Sequence, residues 1–395
     1  MLPRRAAFGA FAATLVSLYL ASGAPTPLLV VWQREWGFPD SVLTFAFASY
    51  AFTFLLALLV GGSLSDHLGR KPVILGSLVL ALASVAMFML APSVEWVIAA
   101  RSVQGIAVGV VTAAYTAALV ELAGPGTRYG PIVAAASPVA GLGLGALLGG
   151  VAVEIWDQNG DEVLFGTVGV LVLLGLVLTI FAPETTTRVP GALRSLIPQV
   201  VVPRTARAFF LRMLPILVAS WATGSFFLGL APTIVHELLH LDSGLIDGFT
   251  ASIHAFGVCA GSIVFGRAAV GASLRGGAAG LVVGVGLIVV GVLTSQIAFV
   301  WIGAVVESFA FGAAFGAIFR GIAPLAPEHQ RAGTFAAVYV AAYLALGIPS
   351  VIAGQLVEPL GLQPTVVGWT SIIVVLAAVG LVIQLRRPRV SQPES

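Results

Sequence analysis

Long apolar stretches separated by short polar breaks make up most of this chain. Twelve of them reach about 20 residues, the length that an α-helix needs to cross the hydrocarbon core of a bilayer. Because backbone polar groups inside lipid must be satisfied within their own segment, the stretches are predicted to be helices. The predicted spans are 7–32, 40–62, 72–91, 95–121, 131–153, 163–182, 208–235, 246–266, 277–294, 298–320, 333–357 and 365–385.

The first stretch has an alternative interpretation as a secretory signal peptide. Arg4 and Arg5 precede an apolar run that ends in small residues near Ala24, as in such peptides. The apolar character resumes at 27–32, however, which extends the run to a spanning length. We therefore expect a retained first helix.

The polar breaks carry their positive charge on one side. With twelve spans and an inner N-terminus, all Lys and Arg residues except Arg34 and Arg101 fall on the inner side or in inner loops, which is 17 of 19. This is the bias that cytoplasmic loops show. Both termini are therefore predicted to be cytoplasmic, in the inner membrane of a bacterium.

Composition agrees with a lipid environment. Only 9% of the 395 residues are charged and 58% are hydrophobic, whereas a soluble domain carries about a quarter charged residues. The net charge of +2 gives no reason to expect a nucleic-acid partner. The single cysteine, Cys259, excludes a disulfide framework and a thiolate metal site.

The longest polar interruption, 183–207, divides the spans into two groups of six. It contains four prolines and four arginines, a composition typical of a connector. A weak repeat supports the division: Trp96 precedes Gly105-x-x-x-Gly109, and Trp301 precedes Gly312-x-x-x-Gly316. We predict an all-α membrane protein with a six-helix bundle at 1–182, a cytoplasmic linker at 183–207 and a second bundle with a short tail at 208–395.

One loop suggests a family. Between the second and third spans the chain reads Gly61-Gly62-Ser63-Leu64-Ser65-Asp66-His67-Leu68-Gly69-Arg70-Lys71-Pro72. This resembles the signature loop of the major facilitator superfamily, at the same place between spans. The resemblance implies twelve-helix transport by alternating access, and the chain resembles the bacterial drug/proton antiporter-like exporters of this superfamily. Gly62, Asp66, Gly69 and Arg70 are expected to gate the inner face, with Asp66 pairing with Arg70 or meeting a helix N-terminus.

The fourth span contains Arg101-Ser102-Val103-Gln104-Gly105. This resembles the family's Arg-x-x-Gln-Gly pattern, which implies a role in proton coupling. At helical spacing Arg101, Gln104, Thr112 and Tyr115 share a face, and a buried arginine should look into a cavity. Alternatively, Arg101 reaches the headgroups from the outer end of its helix.

The fifth span is rich in glycine between Gly141 and Gly150. It resembles the glycine-rich element of exporters, but Ala146 stands where that element has proline. A close helix–helix interface explains the glycines nearly as well.

Two more ionisable residues lie within spans. Glu307 stands in a run with no other charge, and an acid in hydrocarbon favours its neutral form, so it is predicted to load and release a proton. We expect Arg101 to bias this proton binding. His254 is a second candidate, since histidine titrates in the useful range. Either residue could instead be a fixed, hydrogen-bonded packing group.

Cofactors and metals are not expected. His236 and His240 are four residues apart, but a second ligating element is missing. There is no phosphate-binding loop with the Gly-Lys-Ser/Thr ending, so ATP is not expected to drive the protein.

The family resemblance places spans 1, 4, 7 and 10 around a central cavity. These spans are rich in aromatic side chains, which suit an apolar or amphiphilic small molecule. The predicted substrate-binding residues are Gln104, Tyr115, Trp221, Phe227 and Phe311.

The sequence favours a monomeric, proton-coupled exporter of hydrophobic or drug-like compounds. A metabolite facilitator or importer of the same fold is the alternative, because the first span has no acid. A membrane enzyme would need several facing acids or histidines, and a receptor would need a substantial soluble domain.

Overall fold

The computed structural model describes residues 2–124, 127, 129–156, 159–187 and 189–386. Helices make up nearly all of this part of the chain, in the order α1 Arg4–Trp36, α2 Asp40–Gly61, α3 Arg70–Met89, α4 Val94–Ala123, α5 Tyr129–Ile155, α6 Gly160–Phe181, α7 Arg204–Glu237, α8 Gly244–Val264, α9 Val270–Thr294, α10 Ile297–Ile322, α11 Arg331–Leu360 and α12 Leu362–Leu385. Four of the inner-side arginines and the predicted tail lie outside the described residues: Arg128, Arg188, Arg387 and Arg389, and the segment after 386.

The twelve helices correspond to the twelve predicted spans, which confirms an all-α membrane fold. Eleven of those in the described chain are long and apolar enough to cross a membrane by length and composition. The other is α8, which has 21 residues and carries Asp247 and His254. These two polar residues lower its hydropathy, and they face the interior, since both are buried.

One predicted boundary is wrong by seven residues. The ninth span was placed at 277–294, but α9 begins at Val270. Arg275 suggested a loop, whereas it lies within the second turn of the helix and is exposed. A long arginine side chain near a helix end can reach the headgroups while its backbone stays helical.

Two names describe the ends of the bundle. The terminal face holds Arg4 and Leu385, and the far face, at the opposite end, holds Trp36 and Asp40. We call α1–α6 the first half and α7–α12 the second half. The helices end at Phe181 and resume at Arg204 around the predicted linker, and the predicted domain boundaries themselves stay a prediction.

Glycine contacts hold the helices of each half together. The fifth span, α5, is the one whose glycines resemble an exporter element. Its Gly141 and Gly149 lie against the backbone of α1. A Cβ at Gly141 would stand 2.5 Å from Val16 O, and one at Gly149 2.6 Å from Ala24 O. These glycines of α5 therefore form a close helix–helix interface, which was the alternative explanation of the glycine-rich stretch.

The two halves meet mainly through two helix pairs, α5 with α8 and α2 with α11. At the far face Gly248 of α8 lies on Ala146 and Gly150 of α5. Arg34 forms an ion pair with Asp242 at 3.0 Å across the same face. The halves are thus closed against each other at the far face.

The contact between the halves continues to mid-depth. Phe54 of α2 stacks on Tyr343 of α11 at 4.6 Å between ring centroids. Toward the terminal face, Thr116 of α4 is exposed, although Thr112 one turn earlier is bonded to Tyr19 at 2.8 Å. The space between the halves therefore opens toward the terminal face.

Candidate functional site

Arg101 and Gln104 of α4 bind a break in α1. Helix α1 consists of Arg4–Gly23 and Pro25–Trp36, joined at Ala24. Pro25 has no N–H, so the carbonyl of Ala21 four residues earlier loses its helical partner. Gln104 Nε2 donates to Ala21 O at 2.9 Å.

Arg101 satisfies the next carbonyl. Its Nη1 donates to Ser22 O and to Gln104 Oε1, both at 2.9 Å. Its guanidinium carbon also lies 4.6 Å from the ring centroid of Tyr50, within cation–π range. The side chain is 2% exposed, so these contacts replace water around the charge. The alternative that Arg101 reaches the headgroups is excluded.

A second buried polar centre lies in the other half. Glu307 of α10 and His254 of α8 are hydrogen-bonded at 2.7 Å between Oε1 and Nδ1. Glu307 is fully buried and His254 is 4% exposed. The other carboxyl oxygen, Oε2, is buried with no hydrogen-bond partner among the described residues. The two proton-coupling candidates, which are 53 residues apart in the chain, therefore form one pair.

Glycine contacts set the register of this pair. Ser308, next to Glu307, fits against Gly257 of α8, which lies three residues after His254 on the same helix face. On the other side of α10, a Cβ at Gly284 of α9 would stand 2.5 Å from the backbone N of Glu307. Helix α10 is thus clamped between α8 and α9, and this clamp fixes the separation of the carboxyl and imidazole groups.

Aromatic rings surround His254. Phe227 stacks on the imidazole at 5.1 Å between ring centroids with a 15° interplanar angle, and Phe311 lies 5.7 Å away. Phe227 belongs to a π-helical segment of α7, Phe226–Leu230, which precedes Pro232. Since Pro232 has no N–H to offer Leu228, the helix widens here.

Ring contacts join the two polar centres across the interface between the halves. From His254, the path passes Phe311, Trp221, Tyr343, Phe54 and Tyr50 and ends at Arg101. The five ring residues, which we call the aromatic bridge, have neighbouring centroids 4.6 to 5.9 Å apart. The indole Nε1 of Trp221 is buried without a hydrogen-bond partner among the described residues.

The aromatic surface continues toward the terminal face along two helices. Phe311, Phe315 and Phe319 repeat every four residues on α10, and Phe335, Tyr339 and Tyr343 do so on α11. Phe319 packs on Phe335 at 5.3 Å and on Tyr339 at 5.5 Å. The sequence reasoning missed the α11 stripe because it considered only spans 1, 4, 7 and 10. The spacing of four was the signal that could have found it.

Two predicted substrate residues do not face the space between the halves. Tyr115 is fully buried within the first half, edge-on to Phe11 at 5.4 Å. Gln104 is occupied with the α1 break and is 2% exposed. A helix face with polar or aromatic residues can pack on a neighbouring helix instead of lining a cavity. The face of α4 that carries Gln104 and Tyr115 packs on neighbouring helices of the first half. Trp221, Phe227 and Phe311 all lie around His254.

The loop between α2 and α3 forms a polar network at the terminal face. Arg70 forms ion pairs with Asp66 and, at 3.1 Å, with Glu121 at the end of α4. Arg70 Nη1 also donates to Ser65 Oγ at 2.7 Å. The pairing of Asp66 with Arg70 is as expected, while Glu121 was not anticipated.

The same loop binds the start of the linker. Glu184 accepts from the backbone N of Arg70 at 2.9 Å and of Lys71 at 3.2 Å, so its carboxylate caps the N-terminus of α3. Gly69 has φ +100°, and a Cβ there would stand 2.6 Å from Glu184 Oε2. His67 Nδ1 lies 2.8 Å from the carbonyl of Val189. Gly69 is therefore required both by its backbone conformation and by the space that Glu184 needs.

A family model described as Major Facilitator Superfamily matches residues 11–318. The chain belongs to the Major Facilitator Superfamily. The match covers more than half of the chain and includes the loop at Gly62–Lys71 that first indicated the family. The protein is thus a multi-pass membrane protein of this transporter superfamily.

Two curated relatives of this superfamily chain are similar over shorter stretches. The quinolone resistance protein NorA of Staphylococcus aureus (strain Mu50 / ATCC 700699) is 24% identical over 211 residues, which are 53% of this chain and 53% of NorA. The human solute carrier family 2, facilitated glucose transporter member 10 is 38% identical over 111 residues, 28% of this chain and 20% of that transporter. The matched region thus spans about half or less of these relatives.

Solved structures with the major facilitator fold superpose on nearly the whole chain. The human organic anion transporter MFSD10 (TETRAN) has a TM-score of 0.67 at 18% identity, with 96% of this chain and 100% of that chain covered. A POT family transporter in complex with a thioalcohol conjugated peptide has a TM-score of 0.78 at 12% identity, with 95% of each chain covered. At these identities the likeness establishes the fold.

Proposed function

We propose that this transporter exports hydrophobic or drug-like small molecules in exchange for protons, by alternating access. It would lie in the inner membrane of a bacterium with its terminal face toward the cytoplasm, as the charge bias predicts. The observation that carries the proposal is the buried Glu307–His254 pair beside the aromatic bridge.

The pair has the chemistry of a proton carrier. Glu307 Oε1 and His254 Nδ1 can hold one proton between them, with charge on both groups or on neither. A second proton would bind at Glu307 Oε2, which has no hydrogen-bond partner in the described chain. That step makes the carboxyl neutral and weakens its bond to an imidazolium. An intramembrane acid with such a partner is a functional-site hypothesis by default, which supports this assignment.

His254 takes the role that the sequence reasoning gave to Arg101. The contacts of Arg101 are with Ser22 O, Gln104 and Tyr50 in the first half, whereas His254 directly contacts Glu307. In this proposal Arg101 is a positioning residue that holds the break in α1. The Glu307–His254 pair carries the proton.

The aromatic bridge would supply the substrate surface. It spans both halves at mid-depth, so a molecule bound against it would contact both moving parts. Its rings favour an apolar, planar body, and the unpaired Trp221 Nε1 favours a ligand with one hydrogen-bond acceptor. The name of NorA refers to quinolones, which are planar and carry carbonyl acceptors.

The loop network at the terminal face would be the gate. Asp66, Gly69 and Arg70 belong to it, together with Glu121. Gly62, the fourth predicted gating residue, follows the end of α2, and a Cβ there would meet Leu58 of its own helix. When the far face opens and the terminal face closes, the ends of α2 and α4 must shift relative to the second half. Both ion pairs of Arg70 lie within the first half, so they would hold the ends of α2 and α4 together while that end of the half moves.

Facilitated transport without protons is the second candidate. The similarity to the human facilitated glucose transporter member 10 favours it over part of the chain. The first predicted span, 7–32, has no acid, which agrees with it as well; Glu35 lies in the last turn of α1, at the far face.

The test is coupled flux in proteoliposomes. Purified protein is reconstituted with a pH dye inside the vesicles, and a fluoroquinolone is added as the probe under an imposed proton gradient. We expect quinolone-dependent proton movement in the wild type and its loss in Glu307→Gln. His254→Gln should lower the coupled rate and shift its pH profile, because the neutral amide cannot take up a proton.

Glu162→Gln is the matched control, since Glu162 is an exposed acid at the far-face end of α6. It should couple like the wild type. Unchanged coupling in Glu307→Gln would refute the proton site. Quinolone movement without any proton movement would refute antiport and favour the facilitator.

A further inference from the structure

An apolar groove lies on the outer surface of the second half, away from the space between the halves. It has a volume of about 460 Å³ and runs between α9 and α10. Ala272, Gly276 and Gly280 of α9 form one wall, and Val305 and Phe309 of α10 form the other. Val305 is 46% exposed and Ala272 and Gly276 are exposed too, so the groove opens to the lipid.

One hydroxyl group in the groove has no partner. Hydroxyls elsewhere in these helices commonly donate to the carbonyl three or four residues earlier, as Thr294 does to Val290 O at 2.7 Å. Ser273 also lines the groove and is 2% exposed, but its Oγ bonds to nothing in the described chain. A buried hydroxyl without a partner costs about 1–3 kcal/mol, so a ligand atom is expected there.

Positive charge surrounds the terminal-face end of the groove. Arg320 Nη2 donates to the carbonyls of Phe265 and Ala268, which line this end, at 3.1 and 3.4 Å. Arg267 and Arg275 are exposed neighbours of groove residues. Residues 265–280 and 309–320 contain these three arginines and no acid.

We propose that the groove binds an anionic phospholipid of the surrounding bilayer. Its phosphate would lie among the arginines, an ester oxygen would accept from Ser273 Oγ, and an acyl chain would lie along Gly276 and Gly280. The depth fits: seven residues of helix separate Ser273 from Gly280, which is about 10 Å and matches several methylene groups of a chain.

A second copy of the chain is the other occupant that small residues in a membrane helix suggest. A symmetric dimer would bring the same three arginines of both copies together at one end, which is repulsive. An anionic headgroup is instead complementary to them. The charge therefore favours the lipid.

The test uses native mass spectrometry of the purified full chain with dioleoylphosphatidylglycerol or dioleoylphosphatidylcholine added in steps. We expect the wild type to retain one phosphatidylglycerol more tightly than phosphatidylcholine. Arg275→Gln should weaken that binding about fivefold, as for one cation near an anionic headgroup. Gly276→Leu should abolish it, because the new side chain fills the groove.

Gly286→Leu is the control for Gly276→Leu. Both glycines lie on α9, and a Cβ at either would meet no atom within 4 Å, so both variants should fold. Gly286→Leu should bind lipid like the wild type. Equal retention by the two leucine variants, or equal binding of both lipids by the wild type, would overturn the proposal. So would a wild-type dimer that Gly276→Leu converts to a monomer.

Discussion

A buried arginine and a buried glutamine in a membrane helix have to be matched by acceptors and donors in the protein, because lipid supplies none. In this transporter the matching groups of Arg101 and Gln104 are the carbonyls that the break in α1 releases. The side chains that looked like substrate or proton groups therefore hold a neighbouring helix. The Glu307–His254 pair holds no such break, and Oε2 of its acid stays unpaired among the described residues, as does Nε of Arg101.

The role of Gln104 can be tested by stability. Gln104→Leu leaves the carbonyl of Ala21 without its donor, so we expect the free energy of unfolding to fall by about 1–3 kcal/mol. The measurement is the thermal unfolding midpoint in detergent. Gln355→Leu is the control, because Gln355 is exposed on α11 and its loss leaves no buried group unpaired. Equal shifts in both variants would argue against the role of Gln104.

At the scale of elements, glycine acts differently in loops and in helices. Gly69 ends the short helix Leu64–Leu68 with a positive φ, whereas Gly76 lies inside α3 with nothing within 4 Å of a Cβ. The conformation of the loop between α2 and α3 therefore requires glycine at position 69 but not at position 76.

Gly69→Ala and Gly76→Ala should therefore change stability in opposite directions. Alanine at 69 is strained and approaches Glu184 Oε2, so it should cost about 1 kcal/mol or more. Alanine at 76 should gain about 0.5–1 kcal/mol, because it favours the helix. Unfolding midpoints of the two variants in the same detergent provide the measurement. A gain for both would show that the loop tolerates a side chain at 69.

At the scale of the whole molecule, the closure of the two halves at the far face includes a backbone contact between α5 and α8 with no side chain between the helices. A Cβ at Gly248 of α8 would stand 2.6 Å from Ala146 O and 2.9 Å from Gly150 Cα of α5. Such a contact has no room for adjustment, so it is sensitive to a single added side chain.

Gly248→Leu should hold the far face open and lower transport. The distance between spin labels at Glu35→Cys and Leu245→Cys, in a Cys259→Ser background, should lengthen relative to the same labels without the leucine. Double electron–electron resonance measures that distance. Gly166→Leu on α6 is the control, since a Cβ there meets nothing within 4 Å, and it should leave the distance unchanged. An unchanged distance in Gly248→Leu would contradict closure by this contact.

The sequence by itself determined the helices, because the thickness of the bilayer demands apolar runs of a set length and no other local structure satisfies the backbone in lipid. It also indicated the family, through a loop whose characteristic residues follow one another directly in the chain and can be matched without knowing their contacts. Tertiary structure decided which side chains meet. His254 and Glu307 are 53 residues apart, and only the packing of α10 against Gly257 and Gly284 brings them to 2.7 Å. Helical periodicity assigns residues to a face, as it did for Arg101 and Tyr115, but which helix that face meets depends on the packing of all the others.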